Sequence, residues 1–261
     1  MSRSSLERRY GMKAHTQKEK RFDVVSLTDF HVPYEDHTAI ELAFGFCEWL
    51  QPRVIVLHEV HDFYAISRFD KDPERKNELQ VEIDKANRYL KDLRKRCPKS
   101  RIILLKSNHT ERLKKYLWGK APELNSLRCL KLESLFNIKE LGIEYKDFLS
   151  VRGVLFKHGN IIRQDSSYTC KAEFMKEGCS GCSGHTHRLG MYFTTKRGGK
   201  YVWVESGCLC KKNPEYIDGT ANWQQGFAMF SFEDDGKQFI PQIIPIIEKS
   251  IMFGNRKFFI K

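Results

Sequence analysis

Three short apolar runs punctuate the first hundred residues: FDVVSL (Phe22–Leu27), RVIVL (Arg53–Leu57) and RIILL (Arg101–Leu105). They are rich in β-branched residues and almost free of polar ones, the pattern of strands buried on both faces. Between them the period changes from 2 to 3.6. Asp36 is placed to cap a helix over Thr38–Leu50, where Ile40, Ala43, Phe44, Cys47 and Leu50 share one face. A second, more charged helix is predicted over Glu78–Arg96, with Leu79, Ile83, Ala86, Leu90 and Leu93 as its apolar stripe and Pro98 as its stop. This β-α-β-α-β alternation predicts a layered α/β core with a partly parallel sheet. The second half reads as β-rich, with strands at Gly153–Lys157, Met191–Thr194, Tyr201–Glu205, Phe227–Phe232 and Gln238–Ile246, and a Gly-Gly turn within Lys196–Lys200. Residues 113–150 carry short helical patterns (KYLW, LKLESLF) and read as a helical cap over the sheet edge. Residues 1–21 are polar, basic and aperiodic, so they are expected to form an arm, with 22–261 as a single domain.

Composition narrows the classes. Hydrophobic residues make up 41% and charged residues 30% of the 261, enough for a buried core and too apolar for wholesale disorder. There is no run of 18 apolar residues, which excludes an ordinary helical membrane span. The N-terminal stretch lacks the apolar segment of a secretory signal, so a cytoplasmic location is expected, where the eight cysteines stay reduced. Lys and Arg number 45 against 33 Asp and Glu, a net charge of +12 that favours polyanionic partners such as nucleotides or nucleic acid. Cys179-x-x-Cys182 and Cys208-x-Cys210 together offer a four-sulfur zinc site; buried free thiols are the plainer reading.

Seven of the nine histidines lie in five short segments, each just after a strand-like run: Asp29-Phe30-His31, His58-Glu59-Val60-His61-Asp62, Ser107-Asn108-His109, Lys157-His158-Gly159 and Gly184-His185-Thr186-His187. Loops at the carboxyl ends of the strands of an open α/β sheet converge on one crevice. Asp29 and His31 are two apart, as are His185 and His187, so in extended backbone each pair points to one side. Any one of these histidines alone reads as a hydrogen-bonded loop residue. Five segments in strand-end register, carrying imidazole, carboxylate and amide together, read as a metal centre.

The ordered series DxH, a GDxxD-like segment, a GNH-like segment, HG and GHTH, spanning about Val24 to Gly190, resembles the calcineurin-like metallophosphoesterase superfamily, most nearly its compact single-domain members from bacteriophage and bacteria. For a phage-encoded chain the cytoplasm would be the host's. The resemblance implies a four-layer α/β sandwich of two mixed β-sheets flanked by helices, with a dinuclear metal centre at the loop face. It implies Asp29, His31 and His187 on the first metal, Asn108, His158 and His185 on the second, and Glu59 at the position of the bridging carboxylate. His109 would stand beside the leaving group, protonated through its partner Asp62. The implied cofactors are two divalent ions, Mn first, with Fe, Zn or Ni as alternatives. The implied activity is hydrolysis of a phosphate ester, a nucleotide-type or nucleic-acid-type phosphodiester given the charge, by a hydroxide bridging the metals. Arg163, Arg188 and Lys106 lie near the motifs and are candidate phosphate contacts, each more simply a surface residue. Trp223 and Tyr216 are candidates for stacking on a base, against ordinary packing.

The chain departs from the family pattern where Gly-Asp is replaced by His58-Glu59, and where Gly-Asn-His-acid is replaced by Ser107-Asn108-His109-Thr110. Glycine permits tight turns near the metals, and the extra methylene of Glu59 shifts its carboxylate by about 1–1.5 Å. His58 and His61 are added neighbours of the site. The basic charge also admits a nuclease acting on a long phosphate backbone, and the His58-Glu59 departure admits a non-catalytic phosphate- or partner-binding protein with an impaired metal site.

Overall fold

The computed structural model describes residues 21–68, 71, 78–214, 217, 219–234 and 238–260. Three parallel strands, β1 (Arg21–Leu27), β2 (Val54–Leu57) and β3 (Arg101–Leu105), lie side by side, linked by helices α1 (His37–Leu50) and α2 (Leu79–Arg96). The Asp36 side chain accepts the Ala39 N–H at the start of α1, as the capping residue should. The apolar stripes of both helices cover one face of these strands: Ile40, Ala43, Phe44 and Cys47 of α1 and Ile83, Ala86, Leu90 and Leu93 of α2 are buried with Val25, Leu27, Ile55, Leu57, Ile102 and Leu104.

The alternate strand residues, Val24, Val56, Ile103 and Leu105, face the other way and pack on a second sheet. That sheet has the order β5 (Leu149–Val151), β6 (Val154–Phe156), β7 (Ser180–Ser183), β9 (Gly199–Ser206), β8 (Leu189–Lys196). Helix α5 (Tyr168–Glu177) covers its outer face, burying Cys170 and Phe174 against Trp203. The first sheet is completed by β4 (Ile143–Lys146), parallel to β3, and by the antiparallel β10 (Gly226–Glu233) and β11 (Phe239–Pro245). The result is helix, mixed sheet, mixed sheet, helix, the sandwich expected. Burial on both faces is why the first three strands read as unbroken apolar runs.

Three regions differ from the sequence reading. Residues 113–150 are only partly helical: α3 (Thr110–Lys120), two 3₁₀ turns and the one-turn α4 (Leu132–Leu135) lead into β4 and β5, which extend the two sheets. β7 and α5 are additional elements between the predicted strands. A hairpin of β12 (Ser250–Phe253) and β13 (Arg256–Phe259) closes the described chain, packing Phe253 and Phe258 on Phe46 and Trp49 of α1 at ring distances of 5.2–5.9 Å. The basic arm, apart from Arg21, lies outside the described residues.

Candidate metal centre

The parallel strands β1, β2 and β3 of one sheet and β6 and β7 of the other release their loops toward a common crevice, and the five histidine-bearing segments meet there. The loops are laced together by backbone: Val32 N–H donates to Val60 O at 3.0 Å, Asp62 N–H to Val32 O at 2.9 Å and Gly184 N–H to His158 O at 3.0 Å. Asp29 and His31 do share one site, but not through extended backbone. Both have left-handed φ of 52°, and His185 and His187 have 72° and 59°. Such conformations cost about 1–3 kcal/mol each outside glycine and persist where the surroundings enforce them. Gly184 explains part of that enforcement. A Cβ there would lie 2.6 Å from Asp29 Oδ2, so only glycine lets the loop approach while His185 N–H donates to that oxygen at 2.9 Å.

One Asp29 oxygen is thus used to hold the loop. The other, Oδ1, is buried and accepts no hydrogen bond. It lies 3.6 Å from both His31 Nε2 and His187 Nε2, which are 2.9 Å from each other. Two nitrogens bound at right angles to one ion at ~2.1 Å stand about 3.0 Å apart, so this is ligand spacing. Burial opposes ionisation of Asp29, but His187, His31 and His158 outweigh it and hold its carboxyl well below the ordinary range. Burial likewise opposes a charge on His31, yet Glu59, Asp29 and Asp62 raise it well above the usual imidazole value.

Glu59 and His158 form a second group with Asp29. Glu59 is fully buried and neither of its oxygens accepts a hydrogen bond. Burial and the neighbouring Asp29 push its carboxyl well above the ordinary value, against the pull of His31. His158 Nε2 is 3.8 Å from Glu59 Oε2 and 2.9 Å from Asn108 Oδ1. The His185 ring stands beside that of His158 at 5.2 Å, outside the groups whose ligand atoms converge. Three buried carboxylate oxygens that accept no hydrogen bond, with His31 Nδ1 3.1 Å from Glu59 Oε1 and further imidazole nitrogens around them, fit divalent cations, because two carboxylates buried this close share too little positive charge to be ionised together without one.

Asp62 does more than orient His109. Its Oδ2 accepts from His31 Nδ1 at 2.8 Å and lies 3.1 Å from His109 Nδ1, while Oδ1 is paired with Arg112. The His31 contact, the usual second partnership of a metal-binding histidine, turns Nε2 toward Asp29 Oδ1 and His187. The expected protonated His109 is corrected. Burial, helped by His31 and Arg112, pulls it down to about 4 against the influence of Asp62, so it is neutral near pH 7. With Nδ1–H donated to the Asp62 main-chain carbonyl at 3.1 Å, its Nε2 faces Arg112 Nη2 at 3.4 Å.

Other expectations are placed differently. His61 has no hydrogen bond at either nitrogen and stacks on Phe136 at 4.3 Å, a packing residue rather than a ligand. His58 reaches down from the site to Ser26 Oγ at 2.8 Å. Arg188 donates to the carbonyls of Arg163 and Asn222, Arg163 turns to the carbonyl of Ile162, and Lys106 lies 3.9 Å from Glu111 and from Asp147; none of the three lines the cavity over the site. Their place is taken by Arg112, one turn after His109. Trp223 does line that cavity, its ring 4.1 Å from His187; Tyr216 lies outside the described residues. Cys208 and Cys210 gather at His187, with Cys210 Sγ 3.9 Å from Nδ1, and among the described residues no metal-capable group joins them to Cys179 or Cys182. The four-sulfur site is therefore not assembled. Glu205, a residue without a site role in the sequence reading, accepts from Thr186 Oγ1 and from Ser167 N–H, both at 2.7 Å.

No protein-family model matches the chain. Over 241 residues it is 28% identical to the Gene 54 protein of Mycobacterium phage L5 and 29% identical to that of Mycobacterium phage D29, each match covering 86% of this chain and 93% of the relative. These sequence relatives are phage proteins. Among solved structures it is similar to a Vps29 single mutant from Entamoeba histolytica, with a TM-score of 0.45, 11% identity and coverage of 90% of this chain and 99% of that one. Vps29 of Chaetomium thermophilum gives a TM-score of 0.37 at 10% identity, over 85% of this chain and 97% of that one. No helix among the described residues is long and apolar enough to cross a membrane.

Proposed function

We propose that this chain is a metal-dependent phosphoesterase of the calcineurin-like type, acting on a phosphodiester. The observation that carries the reading is the set of buried, donor-less oxygens of Asp29 and Glu59 among His31, His158 and His187. Asp29 Oδ1, His31 Nε2 and His187 Nε2 would hold one ion; Asn108 Oδ1, His158 and Glu59 would hold the other, with His185 beside them. Two divalent ions there supply Lewis acidity and activate water for attack on phosphorus. A mixed set of oxygen and imidazole donors suits Mn, and also Fe, Zn or Ni.

The chain's own groups do the rest. The site residues are largely shielded from solvent, so each charge acts in a low dielectric. Asp62 fixes His31 and His109 together. Arg112, held by Asp62, places a cation at the edge of the cavity, where a phosphoryl oxygen gains charge. His109 Nε2 is unprotonated at rest: it would take a proton from solvent, giving an imidazolium flanked by Asp62, and pass that proton to the leaving oxygen, while the proton lost by the attacking water returns to solvent.

The test is hydrolysis of a bis-aryl phosphate diester and the matching monoester by protein stripped of metal and reloaded with Mn²⁺. Metal-dependent turnover, favouring the diester and lost in Asn108→Ala, supports the reading. No turnover by folded protein with any divalent ion would leave a binding protein, with Glu59 as the first residue to examine.

A further inference from the structure

The cavity over the metal centre has a volume of about 880 Å³, near the top of the ~300–1,000 Å³ range of small-ligand pockets. Its floor includes His31, Asn108, His109 and His187. One wall is the helix α3. Arg112, Tyr116 and Lys120 form an i, i+4, i+8 row facing the cavity, with Lys115 in the adjacent row. At 1.5 Å per residue this row runs about 12 Å outward from the site. Lys115, Tyr116 and Lys120 are solvent-exposed along it. Tyr64, Arg68 and Trp223 also line it.

The lining is therefore cationic and aromatic together. Among the described residues Arg68, Arg112, Lys115 and Lys120 face the cavity against one carboxylate, Asp62, which is shared by His31, His109 and Arg112. Cations that track a backbone, interleaved with rings that stack on bases, are the two components of single-strand binding. The cationic row is longer than one phosphate needs: at ~3.4 Å per charge in a stacked strand, 12 Å matches about three to four phosphates. The depth of the floor argues for one strand. Asp29 and Glu59 are fully buried and His31, His109 and His187 no more than 7% exposed. A phosphodiester must come to them through the cavity, whose volume is that of a small-ligand pocket and so suits a single strand better than a paired duplex.

We infer that the polymer taken by this cavity is a single-stranded oligonucleotide, with one phosphodiester at the metal centre and the adjoining nucleotides laid along Lys115, Tyr116 and Lys120. This names the substrate class of the proposed phosphoesterase and rests on that reading for its chemistry, though not for binding.

The test separates the two. Fluorescence anisotropy with the full chain, in chelator so that nothing is cleaved, measures binding of labelled single strands of two, four and eight nucleotides, as DNA and as RNA, and of a blunt duplex. Affinity should rise at least tenfold from two to four nucleotides, and the duplex should bind at least tenfold more weakly than the eight-mer. The slope of log K against log salt should be about −2, the value for roughly three phosphates on a single strand. The Lys115→Glu/Lys120→Glu variant should weaken eight-mer binding at least tenfold and flatten that slope, Lys115→Gln/Lys120→Gln should do so to a lesser degree, and Tyr116→Ala should weaken binding about 5–100-fold. Equal affinity for two- and eight-mers, equal affinity for duplex, or variants that bind like the parent while folded by circular dichroism would overturn the inference. Turnover of the small diester by the unmodified protein is read in parallel and bears on the hydrolase alone. Length-dependent binding without turnover leaves the strand track standing and removes the hydrolase; turnover with length-independent binding does the reverse.

Discussion

The hydroxyl of Thr186 donates to the fully buried carboxylate of Glu205 at 2.7 Å, while the other oxygen of Glu205 accepts from Ser167 N–H at 2.7 Å and the Cys170 thiol at 3.4 Å. One carboxylate on β9 thus ties the His185-Thr186-His187 loop to the start of α5. That loop needs a tie, because His185 and His187 both sit in the left-handed region. Glu205→Gln keeps the volume but turns an amide N–H toward donors. It should weaken Mn²⁺ binding about 10–100-fold, the usual effect of removing a group that orients a ligand. Isothermal titration with Mn²⁺ checks this, and an unchanged affinity would sink the idea that Glu205 holds the site.

Glu59 predicts a different pattern. Fully buried, accepting no hydrogen bond and nearest to the His31 imidazole, which Asp62 also holds, it costs stability in the metal-free protein. Glu59→Gln should therefore leave the chelated protein as stable as the parent or more so. The parent should gain about 2.7 kcal/mol per site from Mn²⁺ at a hundred times its Kd, or a Tm rise of roughly 5–10 °C for a chain near this size. The variant should lose most of that rise. Thermal melts with and without Mn²⁺ decide it: an equal rise in both proteins would remove Glu59 from the metal centre.

How much of this is legible in the sequence follows from what each element depends on. β1 to β3 and the two long helices are locally consistent, so periodicity finds them. β7 is not. Ser180-Gly181-Cys182-Ser183 has no β-branched residue, and Gly181 is there because a Cβ would lie 2.5 Å from the Trp203 ring that crosses it. That reason exists only after β9 is in place. The metal-facing residues are visible as motifs because a carboxylate or imidazole at a strand end has a spacing. The left-handed backbone of Asp29 and His31 has no such mark, and the three partners of Asp62 come from two separate segments, His31 from the loop after β1 and His109 with Arg112 from the start of α3. Arg112 did leave a signal: it is one turn after His109, on the same helical face.

His109 should matter in proportion to how poor the leaving group is. Burial keeps it neutral, with its proton on the Asp62 side, so its contribution is to move a proton at Nε2. A nitrophenolate leaves without that help; an alkoxide does not. His109→Ala should lower kcat by about 10²–10⁴ on a diester with an alkyl leaving group, and by clearly less on the bis-nitrophenyl ester. Comparing kcat for the two esters in parent and variant gives the result. The same factor for both would assign His109 to metal binding or substrate placement instead.

Glu82 of α2 gives the protein a pH dependence of stability that can be traced to one group. Its carboxylate accepts from Phe63 N–H and, at 3.1 Å, from Tyr64 N–H, pinning the loop that begins at Asp62. Burial pushes this carboxyl up to about 8 from an ordinary value of 4.5, with Asp62 adding to the rise and the two N–H donors opposing it. Between those two values the folded chain holds a proton that the unfolded chain has lost. Unfolding then releases a proton, so stability falls as pH rises through the window, and the full contribution is present only below 4.5. From pH 6 to pH 8 the fall amounts to roughly 2 kcal/mol, or about 4–8 °C in Tm. Glu82→Gln retains an oxygen for the Phe63 N–H but cannot titrate. Its Tm should therefore drop less than the parent's between pH 6 and pH 8, by that 4–8 °C. Parallel decreases in the two proteins would show that Glu82 is ionised throughout, and that its backbone hydrogen bonds outweigh its burial.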